Sequence, residues 1–191
     1  SDGINSISQS IDINITDVDE AGNPPVISGL SSSISVAENQ TAVVTVSASD
    51  PDGDSLTYSL SGADAAYLTI NSSGVITFNS SPDYETKTNY SITVNVSDAT
   101  NSTSQGVIIN ILNVNDNSPV ISGMSSSISV AENQTAVVTI SASDPDGDSL
   151  TYSLTGTDAS SLSISSSGVI TFNTAPDYET KTSYSITVNV S

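Results

Sequence analysis

The stretch YSITVNVS at 90–97 alternates without a break: Tyr90, Ile92, Val94 and Val96 are apolar, while Ser91, Thr93, Asn95 and Ser97 are polar. A period of two puts the apolar set on one face of a strand and the polar set on the other. The same alternation runs through IDINIT at 11–16, TAVVTVSAS at 41–49 and SGVITFN at 73–79. Turn sequences separate these runs, among them Pro51-Asp52-Gly53, Ser72-Ser73-Gly74 and Ser81-Pro82-Asp83, and no stretch carries a 3.6-residue apolar period. Counted from Pro25, the pattern predicts strands at 26–37 (broken near Ser31), 41–49, 55–61, 67–71, 74–79, 89–97 and 104–114. Seven short strands in this span predict an all-β fold, a Greek-key, immunoglobulin-like β-sandwich. A domain of that size can bury a core of its own without disulfides.

The pattern repeats. Residues 25–97 align without a gap on 119–191 at an offset of 94, and 11 of those 73 positions differ. The changes are mild, such as Leu30 to Met124 and Val46 to Ile140, with a patch around Tyr67, which becomes Ser161. Near-identical neighbours are the mark of an array in which each module does the same mechanical job. Residues 1–16 align in turn on 97–112. The expected organisation is therefore the last strand and linker of a preceding repeat at 1–23, a complete repeat at 24–114, and a second repeat at 115–191 lacking its final strand. Such a sheet has an unpaired edge, which a segment like 1–16 of another copy could fill as a donated strand.

Composition narrows the function. The chain has 21 acidic residues against two lysines, Lys87 and Lys181, no His, Cys or Trp, and a formal net charge of -19. Nucleic acid is excluded as a partner, because such a polyanion cannot release phosphate counterions by binding. Without cysteine there is no disulfide framework or thiol nucleophile, and without histidine the usual proton shuttle is missing. No run approaches the roughly 18 apolar residues of a membrane span, so no insertion is expected in this segment. An acidic, cysteine-free, Ser/Thr/Asn-rich chain suits bacterial secreted or surface proteins.

The acids recur at fixed places. Glu38 ends the first strand, Asp50 and Asp52 sit in the turn after the second, Asp83 and Glu85 lie in a PDYE turn, and NVNDN at 113–117 links the repeats. With this strand order, Glu38, Asp83 and Glu85 fall at the end of the first repeat that meets the linker, and Asp144 and Asp146 at the facing end of the second. Left bare, these carboxylates would repel at close range.

These residues carry a resemblance. VAENQTAVVTVSASDPDGDSLTYSL, then SGVITFNSSPDYETKTNYSITVNVSD and NVNDNSP, resemble cadherin repeats of the type found in bacterial surface proteins. Glu38-Asn39, the Asp50-x-Asp52 turn, the Asp83-x-Glu85 turn, Asp98 and the Asn115-Asp116-Asn117 linker occur in the family's order. The resemblance implies about three Ca2+ ions at the junction, since Ca2+ takes hard oxygen ligands. Glu38, Asp83, Glu85 and Asp116 would hold the two ions nearest the first repeat, with Asp146 bridging toward the second. Asn115 and Asn117 with Asp144 and Asp146 would hold the third, whose last ligand would be residue 192. Upstream, Asp50, Asp52 and Asp98 would serve a linker carrying Asp17, Asp19 and Glu20, which departs from the family pattern by two extra residues. Glu132, Asp177 and Glu179 are the matching metal candidates of the second repeat. Asn113 stands where the family usually has Asp.

DPDGD by itself is a plain turn with solvated acids, and it is not an EF-hand, because no Glu closes a twelve-residue loop. Asp54 and Asp148 read as ordinary turn residues. Asp83 and Glu85 could form a glycosidase acid pair, but they recur in both repeats without an aromatic sugar platform, so no enzyme is expected. The expected role is a calcium-binding structural repeat of a bacterial adhesin or fibre at the cell surface or outside the cell, partnered by neighbouring repeats or copies of itself. Homophilic adhesion of the animal type is not supported, since there is no tryptophan to exchange. The alternative is a carbohydrate-binding module of a polysaccharide-degrading surface protein, with specificity for surface glycans at 63–71 and 157–165.

Overall fold

The computed structural model describes residues 7–16 and 22–191. The first repeat contains β1 (Val26–Ser28), β2 (Ser33–Ala37), β3 (Ala42–Thr45), β4 (Ser47–Ser49), β5 (Thr57–Ser61), β6 (Leu68–Ile70), β7 (Val75–Phe78), β8 (Asn89–Ser97) and β9 (Ser102–Leu112). The second contains β10 (Val120–Ser122), β11 (Ala136–Thr139), β12 (Ser141–Ser143), β13 (Tyr152–Thr155), β14 (Leu162–Ile164), β15 (Val169–Phe172) and β16 (Thr187–Val190). A single 3-10 turn precedes β6 (Ala65–Tyr67) and another precedes β14 (Ala159–Ser161). By contact density the chain forms two compact units: residues up to 36 with 41–81 and 89–110, and residues 37–40 and 82–88 with 111–191.

In the first unit β8 is the central ladder. Its antiparallel register runs from Thr57 opposite Ser97 to Ser61 opposite Thr93 on the β5 side, and from Asn89 opposite Asn110 to Ser97 opposite Ser102 on the β9 side. The sheet order is β2-β9-β8-β5, and a second sheet has the order β3-β7-β6. The alternation read from sequence is carried into the fold, with Tyr90, Ile92, Val94 and Val96 buried and their polar neighbours turned outward. Val107, Ile109 and Ile111 of β9 are buried beside them, and Ile76 and Phe78 come in from the other sheet. Two inward faces of branched apolar side chains form the core of a sandwich.

The segment 41–49 is not one strand. It breaks at buried Val46, where the chain leaves β7, the partner of β3, and passes to β1, the partner of β4. The Val46 amide donates to the Gly74 carbonyl at 2.8 Å and fixes the corner. Gly74 has φ +76, and a Cβ there would lie 2.4 Å from the Val46 oxygen, so only glycine fits.

The second unit repeats the packing around Ile140, Leu162, Ile170, Phe172 and Val188, with order β11-β15-β14 in one sheet and β13-β16 in the other. Residues 127–131 repeat the letters of β2 but form no strand. In the first repeat β2 is laddered to β9, and among the described residues of the second nothing takes the place of β9, so the segment has no partner for its backbone groups. Residues 7–16 form no strand either, and Ile11, Ile13 and Ile15 stand exposed.

Candidate metal centre

Glu38 follows β2 and is only 4% exposed. Its neighbour Asn39 takes φ 63, a left-handed conformation that Asn tolerates, and donates its amide to the Pro82 carbonyl at 3.0 Å. This turn brings the loop 37–40 against the loop 82–88. The Glu38 carboxylate then accepts two backbone amides, Tyr84 at Oε2 and Val114 at Oε1, both at 2.7 Å. A buried carboxylate held by two amides has a fixed direction.

The PDYE turn orients its acids by the same means. Asp83 Oδ1 accepts the Thr86 amide at 3.1 Å, and Oδ2 accepts the Thr86 hydroxyl at 3.0 Å. From the linker, Asn117 donates its side-chain amide to Glu85 Oε2 at 3.1 Å, Asp116 Oδ1 at 2.7 Å and Asp146 Oδ1 at 3.0 Å. The backbone amides of Asn117 and Asp116 reach Asp146 Oδ2 at 2.8 and 3.2 Å. Asn39 donates to Asp116 Oδ2 at 2.5 Å.

Five carboxylates converge as a result. Glu38, Asp83 and Glu85 each bring an oxygen within 4.8 Å of the others, and so do Glu85, Asp116 and Asp146, with Glu85 common to both groups. All five residues belong to the second unit. Loss of hydration raises the Glu85 pKa above its ordinary 4.5, and repulsion from Glu38 and Asp146 adds to the rise. Asp146 is lowered from 3.8, chiefly by the Asn117 side-chain amide. Glu85 thus holds its proton to a higher pH than an ordinary glutamate. The polypeptide supplies fixed acidic oxygens here and two side-chain amides, Asn39 and Asn117, to temper them.

The other sequence candidates have separate places. Asn115 and Asp144 line an open cavity of about 590 Å3 together with Asn117 and Asp148. Asp144 Oδ1 accepts the Asp146 amide at 2.9 Å, and Asn113 donates to the Asp146 carbonyl at 2.8 Å. Asp148, read as a turn residue, receives the Asn115 side-chain amide. Sequence reasoning passed over Asp148 because its partner lies 33 positions away; only its pairing with Asp54 across the repeats marked it.

In the first unit Asp98 is 8% exposed, accepts the Thr100 and Asn101 amides at 2.7 and 2.5 Å, and is lowered from 3.8, mainly by the Asn101 amide. Asp52 accepts the Asn23 backbone and side-chain amides at 3.3 and 3.0 Å. Asp50 Oδ1 accepts the Asp52 amide at 2.9 Å, whereas its Oδ2 is buried with no hydrogen-bond partner. Asp50, Asp52 and Asp98 do not form a three-acid group among the described residues, and Asp17, Asp19 and Glu20 lie outside them. Glu132, Asp177 and Glu179 do form one, all three exposed, with Glu132 accepting the Tyr178 amide at 3.0 Å.

The fold has counterparts among known proteins. A family model described as Bacterial Ig domain matches residues 8–110 and 115–191. Chitinase A of Pseudoalteromonas piscicida is 34% identical over 125 residues, 65% of this chain and 15% of that protein. Human Cadherin-23 is 31% identical over 156 residues, 78% of this chain and 5% of its own. The crystal structure of mouse Cadherin-23 EC22-24 aligns with a TM-score of 0.76 at 31% identity, over 90% of this chain and 60% of that one. The chain spans a small fraction of the curated relatives' length.

Proposed function

Because the chain belongs to the bacterial Ig domain family and its repeats are built as cadherin-like sandwiches, we propose that it is a calcium-stiffened structural segment of a bacterial surface or secreted adhesin or fibre. The observation that supports this reading is the five-carboxylate cluster, with Glu38 buried at its base. A chain with two lysines has little cation of its own to balance it. Burying a carboxylate without a counter-charge is costly, and oriented acidic oxygens in this number suit Ca2+, which takes six to eight oxygen ligands.

Glu38, Asp83, Glu85, Asp116 and Asp146 would hold the ions, with Asn117 positioning three of those carboxylates. Asn115, Asp144 and the cavity beside Asp148 would take a further ion. Bound calcium supplies positive charge that converts repulsion among loops 37–40 and 82–88, the linker and the 144–148 turn into attraction. Asp50, whose Oδ2 is buried without a hydrogen-bond partner, would serve a matching site with Asp52 and Asp98. Glu132, Asp177 and Glu179 would serve the next repeat in an array. The proposed role is mechanical rather than catalytic, and the protein's partners would be neighbouring repeats.

Titrating metal-free protein with CaCl2 while following melting temperature, bound calcium by calorimetry and small-angle scattering tests this reading. Saturable binding with a rise in melting temperature and a narrowed scattering ensemble is expected; no binding up to millimolar calcium removes it.

Ile11, Ile13 and Ile15 are exposed, yet they align with Val107, Ile109 and Ile111, which are buried in β9. A strand of this pattern would complete the sheet at β16, supplied by the continuing chain or by residues 7–16 of another copy.

A further inference from the structure

The two repeats serve as controls for one another around the turn that leads into β6 and β14. The hydrogen bonds of the turn are the same in both: the Asp64 amide reaches the Ser91 carbonyl at 3.1 Å and the Asp158 amide reaches Ser185 at 3.1 Å, while Asn79 and Asn173 donate to the carbonyls of Tyr67 and Ser161 at 2.9 Å each; Tyr90 lies within β8, whereas Tyr184 precedes β16. The side chains differ. In the first repeat Tyr67 lies edge-on to Tyr90, with ring centroids 5.5 Å apart, and Tyr90 also meets Phe78 edge-on at 4.9 Å. In the second, the Phe172 to Tyr184 contact persists at 4.8 Å, but Ser161 stands where the third ring was.

An open cavity of about 420 Å3 lies there, lined among others by Ser160, Ser161, Phe172, Thr174, Ala175 and Tyr184. Four of these, Ser160, Ser161, Thr174 and Ala175, are among the 11 positions at which the aligned copies differ, replacing Ala66, Tyr67, Ser80 and Ser81. Four of the 11 differences thus fall on one concave surface.

We propose that this cavity is a binding site for a neutral phenolic ring, seated edge-on to Tyr184 in the position that Tyr67 occupies in the first repeat. Tyr67 supplies the template, because the same turn hydrogen bonds and the same aromatic pair already accept a phenol there. Edge-to-face packing favours such a ring over a face-to-face stack. Lys181 covers the Tyr184 ring, with its ammonium 4.6 Å from the centroid, which leaves the edge for the incoming group. The Ser160, Ser161 and Thr174 hydroxyls give the phenol oxygen donors and acceptors. The chain's formal charge of -19 favours a neutral ligand over an anionic one. Asp177, a member of the acidic group Glu132, Asp177 and Glu179, also lines the cavity, so ring binding is measured both without and with calcium.

The test is a titration of 15N-labelled protein with p-cresol, with and without calcium, followed by amide shifts. A saturable response confined to the surroundings of Ser161, Asn173 and Tyr184 is expected, with a dissociation constant on the order of millimolar for so small a ligand. Ser161→Tyr, which restores the residue of the first repeat, should abolish it. Tyr67→Ser should create a second, equivalent site around Tyr90. N-acetyl-tyrosinamide binding more tightly than p-cresol would assign the ring to a protein segment, and equal binding to a free small molecule; both support the site. Shifts that survive Ser161→Tyr, an absence of saturable shifts, or a response to N,N'-diacetylchitobiose without one to p-cresol would overturn it.

Discussion

Asp146 is the residue on which most of the acidic cluster turns, because its two oxygens collect three donors from Asn117 and Asp116 and it meets Glu85 and Asp116. Asp146→Asn keeps the shape and removes one charge and one hard ligand. Calcium affinity measured by calorimetry should fall at least about tenfold, whereas Asp12→Asn, an exposed acid outside every proposed site, should leave it within error. Equal losses in both variants would mean that diffuse charge rather than a site governs binding. A separate acid test lies away from the metal candidates. Asp158 is lowered from 3.8, first by the Lys181 side chain and then by the Ser185 amide. A carboxylate lowered on folding adds stability that is full above its unfolded value and disappears as pH falls through the folded one. Asp158→Asn should therefore lower the melting temperature of calcium-free protein at neutral pH, and the gap from the parent should close in the acid limb below the ordinary 3.8. A gap that stays constant with pH would assign the effect to packing instead.

Gly74 and Gly168 are predicted to be irreplaceable at the level of the strand corner. Both have φ +76, and a Cβ would stand 2.4 and 2.5 Å from the carbonyl oxygens of Val46 and Ile140. Either Gly→Ala change should cost more than about 1–2 kcal/mol from the left-handed backbone alone, read by chemical denaturation; Gly53→Ala, open to solvent, should lose only the backbone part. Much of the fold was legible because period-two patterning reports directly on a half-buried strand, as in β8. Two features were not. The split of 41–49 depends on which sheet each half joins, and alternation is blind to the partner. The segments 33–37 and 127–131 have the same letters and different outcomes, since a strand exists only when another satisfies its backbone groups. Within the site, the acids were legible through their order along the chain, but Asp148 and Asn39 take their roles from contacts distant in sequence. The missing partner yields a measurement: a synthetic peptide of residues 7–16 should raise the melting temperature of the parent protein, and the same peptide with Ile13→Asp should not. No effect of the first peptide would leave the β16 edge without a strand-accepting role.

Across the whole chain, charge sets the last prediction. With a formal charge of -19 and the acids gathered in loops rather than spread evenly, metal-free protein should be strained by self-repulsion that ordinary salt relieves. At 1 M ionic strength the Debye length shrinks to about 3 Å, so NaCl alone should raise the melting temperature of the apo form. Calcium should do more at far lower concentration. A ligand present at 100 times its dissociation constant adds about 2.7 kcal/mol per independent site, and a specific site saturates where screening does not. Mg2+ separates the two further, because it demands a tighter octahedral shell and sheds water reluctantly; at equal ionic strength it should stabilise less than Ca2+. The comparison is a melting series in NaCl, MgCl2 and CaCl2 at matched ionic strength, repeated on the Asp146→Asn variant. The parent should show an excess for calcium that the variant largely loses, while the NaCl response of both stays alike. If all three salts coincide, the clustered carboxylates are a solvated acidic face, and stiffening by calcium cannot be what the array is built to do.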